Sequence, residues 1–179
     1  MKLENKIAFV SAAGRGIGKA IAKGLAAEGA TVVVNSYSEE TAAGTADDIK
    51  KSGGNAVSMP GDATDPETIL ALVNRTIDEF GRIDVLVNNV GAAPKEAPEI
   101  PNNALGKTEG LWNAMYRQNL LPTVLMTEAV SKEMKRQQEG KIVNISSIAG
   151  INSFSPKTLT NLVHPSYGAM KAALLSYTK

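Results

Sequence analysis

The chain has 179 residues, 43% hydrophobic and only 4% aromatic, with 19 basic and 18 acidic residues for a net charge of +1. One domain with a substantial core fits that length, and the balanced charge offers no general attraction to nucleic acid or to a membrane surface. With no cysteine and a single histidine, His164, disulfides and thiolate metal sites are excluded and no metal is expected; no stretch reaches the ~20 apolar residues of a membrane span, so a soluble, cytoplasmic protein is expected.

In chain order, Ile7-Ala8-Phe9-Val10 is an apolar run suited to a buried parallel strand. It breaks into Ser11-Ala12-Ala13-Gly14-Arg15-Gly16-Ile17-Gly18, and residues 19–28 carry apolar side chains at helical spacing. Backbone N–H groups left free at a helix N-terminus favour an anion, and glycines let a pyrophosphate approach. The spacing does not fit Gly-x-Gly-x-x-Gly. Gly29 reads as the helix stop, and Thr31-Val32-Val33-Val34-Asn35 as a β-branched second strand. Residues 39–52 predict a helix ended by Gly53-Gly54, and residues 55–59 a third strand broken by Pro60-Gly61. Asp65 is a candidate N-cap with Pro66 at the first helical position, for a helix running to Phe80 and stopped at Gly81. Residues 83–87 predict a fourth strand. Strand and helix alternate throughout, which indicates right-handed βαβ units around a parallel sheet.

Residues 92–110 are irregular, with three prolines, and read as a surface excursion. A helix over residues 110–138 contains Pro122, which removes a hydrogen bond and predicts a kink just after Asn119 with a freed backbone carbonyl nearby. Residues 141–146 predict a fifth strand, residues 150–165 a polar loop, and residues 166–179 a helix with no stop signal at its end.

Five motifs now stand in order: the glycine loop, Asp62 after the third strand, Asn88-Asn89-Val90-Gly91 closing the fourth, Ser147 ending the fifth, and Tyr167-Gly168-Ala169-Met170-Lys171. Each falls at the C-terminal edge of the sheet or on a facing helix, where open α/β sheets bind ligands. The chain resembles the short-chain dehydrogenase/reductase family over nearly its whole length. Its loop is similar to Thr-Gly-x-x-x-Gly-x-Gly, with Ser11 for the threonine and Ala12 for the first glycine, and Asn88 to Gly91 to the family's Asn-Asn-Ala-Gly. The resemblance implies an α/β Rossmann-type fold, a doubly wound parallel sheet in three α/β/α layers. It implies one dinucleotide-binding domain over residues 1–179 that carries the catalytic residues, with further strands and a substrate-covering segment lying beyond Lys179.

The resemblance also implies the site. Tyr167 is the general acid/base, Ser147 hydrogen-bonds the substrate oxygen, Lys171 holds the nicotinamide ribose, and Asn119 anchors a water in a proton relay. Ser11, Ala13, Arg15, Gly16, Ile17, Gly18, Ser36, Asp62, Ala63, Asn89 and Gly91 hold the cofactor, with Tyr167 and Lys171. Tyr167 and Lys171 stand one helical turn apart, and an ammonium beside a phenol favours the phenolate. After the second strand, Asn35-Ser36-Tyr37 lacks the acid that holds an NAD ribose, while Arg15 can pair with a 2′-phosphate. NADP is the expected cofactor, with NAD as the alternative. The expected activity is reduction of a carbonyl or oxidation of a secondary alcohol, with a 3-oxoacyl-carrier-protein reductase as the leading label. A nucleotide-binding but catalytically silent protein is the competing reading. A homodimer or homotetramer through the two long helices is implied as well.

Overall fold

The structure, a computed structural model, describes residues 1–92, 109–152 and 165–179. Strands and helices alternate as β1 (Ile7–Val10), α1 (Gly16–Ala27), β2 (Thr31–Ser36), α2 (Glu39–Lys51), β3 (Asn55–Pro60), α3 (Pro66–Phe80) and β4 (Val85–Asn88). They continue as α4 (Glu109–Asn119), α5 (Leu121–Gln137), β5 (Lys141–Asn144), a 3-10 turn (Ile148–Gly150) and α6 (Pro165–Tyr177). All strand pairs are parallel, in the order β3-β2-β1-β4-β5. The chain winds outward from β1 to β3, then returns to the other side of β1 for β4 and β5. The reversal between β1 and β4 opens a crevice at the C-terminal ends of those strands, the usual place for a ligand in such sheets.

Pleat alternation sorts the strand residues into two cores. Phe9, Val33, Met59 and Leu86 pack with Ile69, Leu72 and Val73 of α3 and Met126 and Val130 of α5. On the other face Ala8, Val10, Val32 and Val34 meet Ala22, Ala26, Ala46 and Ile49 of α1 and α2. Small side chains on both partners bring α1 and α2 close to the sheet, which suits a chain with few aromatics. The result is the doubly wound three-layer arrangement that the resemblance implies.

The helix signals around α3 are realised. Asp65 accepts the Thr68 N–H at 2.8 Å, and Gly81 ends the helix at φ 73°, its N–H donating to Ile77 O at 2.7 Å. Two other elements differ from expectation. Residues 110–138 form two helices, not one kinked helix, because Leu120 leaves helical geometry at φ −124° and Pro122 then opens α5. A proline lacks the N–H for the preceding turn but suits a helix start, so a restart is the lower-energy solution. At the other end α6 stops at Tyr177, and the Thr178 hydroxyl donates to Leu174 O at 2.6 Å while accepting from Asn144 Nδ2 at 3.0 Å. That threonine ties α6 to β5. The expected excursion over residues 92–110 and the loop over 150–165, His164 included, fall mostly outside the described residues.

At the N-terminal end of the sheet, Asp84 is 3% exposed and joins three elements. Its carboxylate accepts the Ile7 N–H at 2.8 Å, the Arg82 guanidinium in a two-pronged contact, and the Lys6 ammonium at 3.5 Å. Lys6 and Arg82 both also reach Glu139 just before β5. Burial alone would raise the Asp84 pKa, but Arg82, the Ile7 N–H and Lys6 together outweigh it and hold the carboxyl below its usual range. A carboxyl depressed by folding contributes stability above its unfolded pKa and loses it as pH falls through the folded one. Asp84→Asn is expected to cost about 2 kcal/mol at neutral pH. The loss should shrink below about pH 4, where the parent carboxyl protonates too. Urea unfolding at several pH values checks both parts.

Candidate active site

The glycine loop leaves β1 through Ser11, which is buried against β4. Its hydroxyl donates to Val87 O at 3.2 Å and accepts the Asn89 N–H at 2.9 Å. Ala12 follows at φ 50°, in the left-handed region that an alanine rarely adopts. Ala13 is fully buried, its N–H donating to Asn35 O at 2.7 Å. Arg15 then takes the N-cap position of α1 with its side chain exposed, and among the described residues its guanidinium has no partner. Gly16, Ile17 and Gly18 form the first turn, so their N–H groups face outward at the positive end of the helix. Ile17 is exposed, whereas Gly18 is buried; a Cβ on Gly18 would overlap Ala12 O and lie 2.6 Å from Asn89 Nδ2. Only glycine fits there.

A cleft of about 470 Å³ lies beside this loop, lined by Ala12, Asn35, Tyr37, Gly61, Asp62, Ala63, Thr64, Val90, Ala114, Arg117 and Gln118. Asp62 and Ala63, two of the expected cofactor residues, are among its lining. The Asp62 Oδ1 accepts from the Thr64 N–H at 2.9 Å and the Thr64 hydroxyl at 2.7 Å, which turns the loop and fixes that carboxylate. Ser36 does not line the cleft; its hydroxyl pairs with Thr41 Oγ1 at 2.8 Å, at the start of α2. Tyr37, Ala114, Arg117 and Gln118 were not among the expected site residues. The α4 trio had one available signal, since Arg117 and Gln118 immediately precede Asn119.

Across the switch point, Gly91 faces two polar groups. A Cβ on Gly91 would sit 2.6 Å from Lys171 Nζ and 3.3 Å from Asn119 Oδ1, so Lys171 and Asn119 meet in front of that glycine. Asn119 is buried, and its Nδ2 donates to Ala92 O at 3.0 Å and Met115 O at 3.1 Å, while its Oδ1 is buried with no partner among the described residues. The free acceptor is thus seen on the side chain, where the sequence had suggested a backbone carbonyl. Lys171 is buried, 3% exposed; its ammonium donates to Ile145 O at 3.1 Å and lies 5.9 Å from the Tyr167 ring centre. Burial pushes its pKa down. Tyr167 and Ser147 are half-buried, and Ser147 Oγ accepts the Ala149 N–H at 3.2 Å at the head of the 3-10 turn. The turn packs on α6, where Ser146 Oγ donates to Lys171 O at 2.7 Å.

Asn89 connects the two halves. Its Nδ2 donates to Ala12 O at 3.2 Å and more weakly to Ser11 O at 3.4 Å. Helix-N-terminal N–H groups in the loop, a carboxylate-bearing cleft, and a buried ammonium and a buried amide oxygen both close to Gly91 suit a ligand with phosphates and hydroxyls. A family model described as short chain dehydrogenase matches residues 6–179. This chain belongs to the short-chain dehydrogenase family. The 3-oxoacyl-acyl-carrier-protein reductase of Vibrio cholerae serotype O1 is 35% identical over 179 residues, covering 100% of this chain and 67% of that protein. The same reductase of a Synechocystis species is 38% identical over 180 residues, covering 99% and 67%. Among solved structures, a 7α-hydroxysteroid dehydrogenase complexed with NADH and 7-oxo glycochenodeoxycholic acid superposes with a TM-score of 0.85 at 30% identity, covering 98% of this chain and 64% of that one. The chain thus spans about two thirds of the length of these short-chain dehydrogenases. Among the described residues no helix is long and apolar enough to cross a membrane.

Ala12 marks this chain's departure from the family's loop, and its left-handed backbone carries a steric cost that glycine avoids. Ala12→Gly is expected to stabilise the protein by about 1 kcal/mol, raising Tm by roughly 2–4 °C. Differential scanning calorimetry tests this; an unchanged or lowered Tm would show that the conformation carries no strain.

Proposed function

We propose that this chain carries the cofactor-binding and proton-transferring residues of an NADPH-dependent carbonyl reductase, with a 3-oxoacyl thioester as the leading substrate class. The observation that carries the proposal is the meeting of Lys171, Asn119 and Gly91 at the switch point, with Tyr167 one turn from Lys171. The names of the most similar relatives favour the thioester, and the family fits a nicotinamide cofactor.

The residues fit that cofactor. The N–H groups of Gly16, Ile17 and Gly18 would hold the pyrophosphate, with Ser11, Ala13 and Asn89 shaping the loop beneath it. Asp62 and Ala63 would take the adenine, and Gly91 would leave room for the nicotinamide ribose beside Lys171. Bound there, a reduced nicotinamide supplies the hydride. Tyr167 then donates its phenolic proton to the carbonyl oxygen, while the Ser147 hydroxyl donates a hydrogen bond to that oxygen. The Lys171 ammonium lowers the cost of the phenolate that Tyr167 leaves behind. Asn119 Oδ1 is an acceptor for the water through which a proton returns.

NADPH is preferred over NADH in this reading, because the Arg15 guanidinium has no partner among the described residues and no acid occupies Asn35-Ser36-Tyr37. A homodimer through α4 and α5 fits the exposure of Trp112 and Tyr116, one turn apart on α4.

Two experiments test the roles and the cofactor. Tyr167→Phe should abolish turnover of a 3-oxoacyl thioester and retain NADPH affinity; undiminished turnover would overturn the assignment. Lys171→Met should also abolish turnover yet raise the Tm of the ligand-free protein, since it removes a charge that burial disfavours. In a separate titration NADPH should bind at least tenfold more tightly than NADH, and Ser36→Asp should reverse the order. Equal affinities in the parent would contradict the NADPH preference.

A further inference from the structure

The end of the second strand is where an acid would read the cofactor ribose. In this chain Ser36 closes β2, and Asn35 just before it is 1% exposed and turned into the protein. Its Nδ2 donates to Met59 O and to Gly61 O, both at 3.1 Å. Its Oδ1 accepts the Ala12 N–H at 3.4 Å, at the long end for a hydrogen bond. The orientation of the amide is dictated by these partners, since two carbonyls require its donor side. The Asn35 backbone carbonyl is also used, accepting the Ala13 N–H at 2.7 Å.

One side chain therefore joins the glycine loop after β1, the end of β2 and the loop after β3. Those three segments supply Ala12, Asn35, Gly61, Asp62 and Ala63, one wall of the 470 Å³ cleft. Ala12 is held from both sides: Asn35 Oδ1 takes its N–H and Asn89 Nδ2 donates to its carbonyl at 3.2 Å. A residue in an unfavourable backbone region persists only when its surroundings over-determine it. The buried Asn35 amide and the half-buried Asn89 amide do so here.

We infer that Asn35 is a positioning residue for the adenosine half of the cofactor: it builds the wall on which that half rests and does not itself read the ribose. This rests on the nicotinamide-cofactor reading above and extends it. The consequence separates position 35 from position 36. If Asn35 faced the ribose, an aspartate there would favour NADH. Because its amide N–H groups are spent on Met59 O and Gly61 O, an aspartate would set a carboxylate against two carbonyls. Both cofactors would then lose affinity together.

The test is Asn35→Asp in the full chain, with Kd for NADPH and for NADH measured by fluorescence titration and Tm by calorimetry. The expected result is a loss of about tenfold or more for both cofactors with their ratio unchanged. A shift of the ratio towards NADH would overturn the inference and place the side chain at the ribose. A lowered Tm with both affinities intact would also overturn it, leaving Asn35 a structural residue alone. Should Asn35→Asp not fold, Asn35→Ser removes the amide without adding charge and should show the same parallel loss; failure of both to fold would overturn the positioning role. A parent protein that binds neither NADPH nor NADH would remove the functional reading and this inference together, whereas a parent that binds and variants that bind equally well would remove only this one.

Discussion

At the C-terminal edge of a parallel sheet each strand runs out of neighbours, and its last backbone groups must find partners in the loops. In this chain short polar side chains fill that need. Ser11 bridges Val87 O and the Asn89 N–H, Asn89 reaches back to Ala12 O, and Asn35 holds Met59 O and Gly61 O. These bonds are buried or partly buried, so each is worth most when complete and costs most when broken. They set the shape of the glycine loop before any ligand arrives. A preformed anion cradle spends less of its binding free energy on ordering.

The opposite edge of the sheet is held by charge. Asp84 gathers Ile7, Arg82 and Lys6, and Glu139 closes the group. The division makes physical sense. Charges at the ligand edge would bias which anion enters, whereas amides and hydroxyls satisfy backbone groups with no net field. Among the described residues the one buried charge at the ligand edge is Lys171, and its desolvation is a standing cost that a purely structural residue would avoid. A polar chain from Thr127 through Asn88 and Asn144 to Thr178 carries the same neutral logic to β5 and α6.

Much of the fold was legible in the sequence because it is written in local patterns. The β-branched run of β2, the Asp65-Pro66 start and Gly81 stop of α3, and the regular alternation of apolar runs each act within a few residues. The loop, Asp62 and Asn89 were legible as motifs, and they do meet at one edge. The break at Leu120 was read only as a kink, because a proline's local effect does not say whether α4 and α5 will pack as one axis or two. Tyr37, Arg117 and Gln118 were missed because membership of the cleft depends on how the segment after β2 and α4 come together in the fold, not on local pattern. The role of Asn35 was missed for the same reason. Its three partners lie 23, 24 and 26 residues away along the chain, and nothing in its neighbours announces them. What spacing offered there was an expectation about charge; what packing supplied was a donor.

The central claim is that a dinucleotide binds at the switch-point edge, across the walls that these side chains preform. Backbone amide chemical-shift mapping of the isotopically labelled protein during NADPH titration tests it most directly. The account predicts the largest shifts at residues 12–18, 61–64 and 90–92, with Met1 to Asn5 and residues 52–55 at the far end of the sheet unmoved. Shifts concentrated around Gly53 and Gly54, or none along the glycine loop at saturating NADPH, would contradict it.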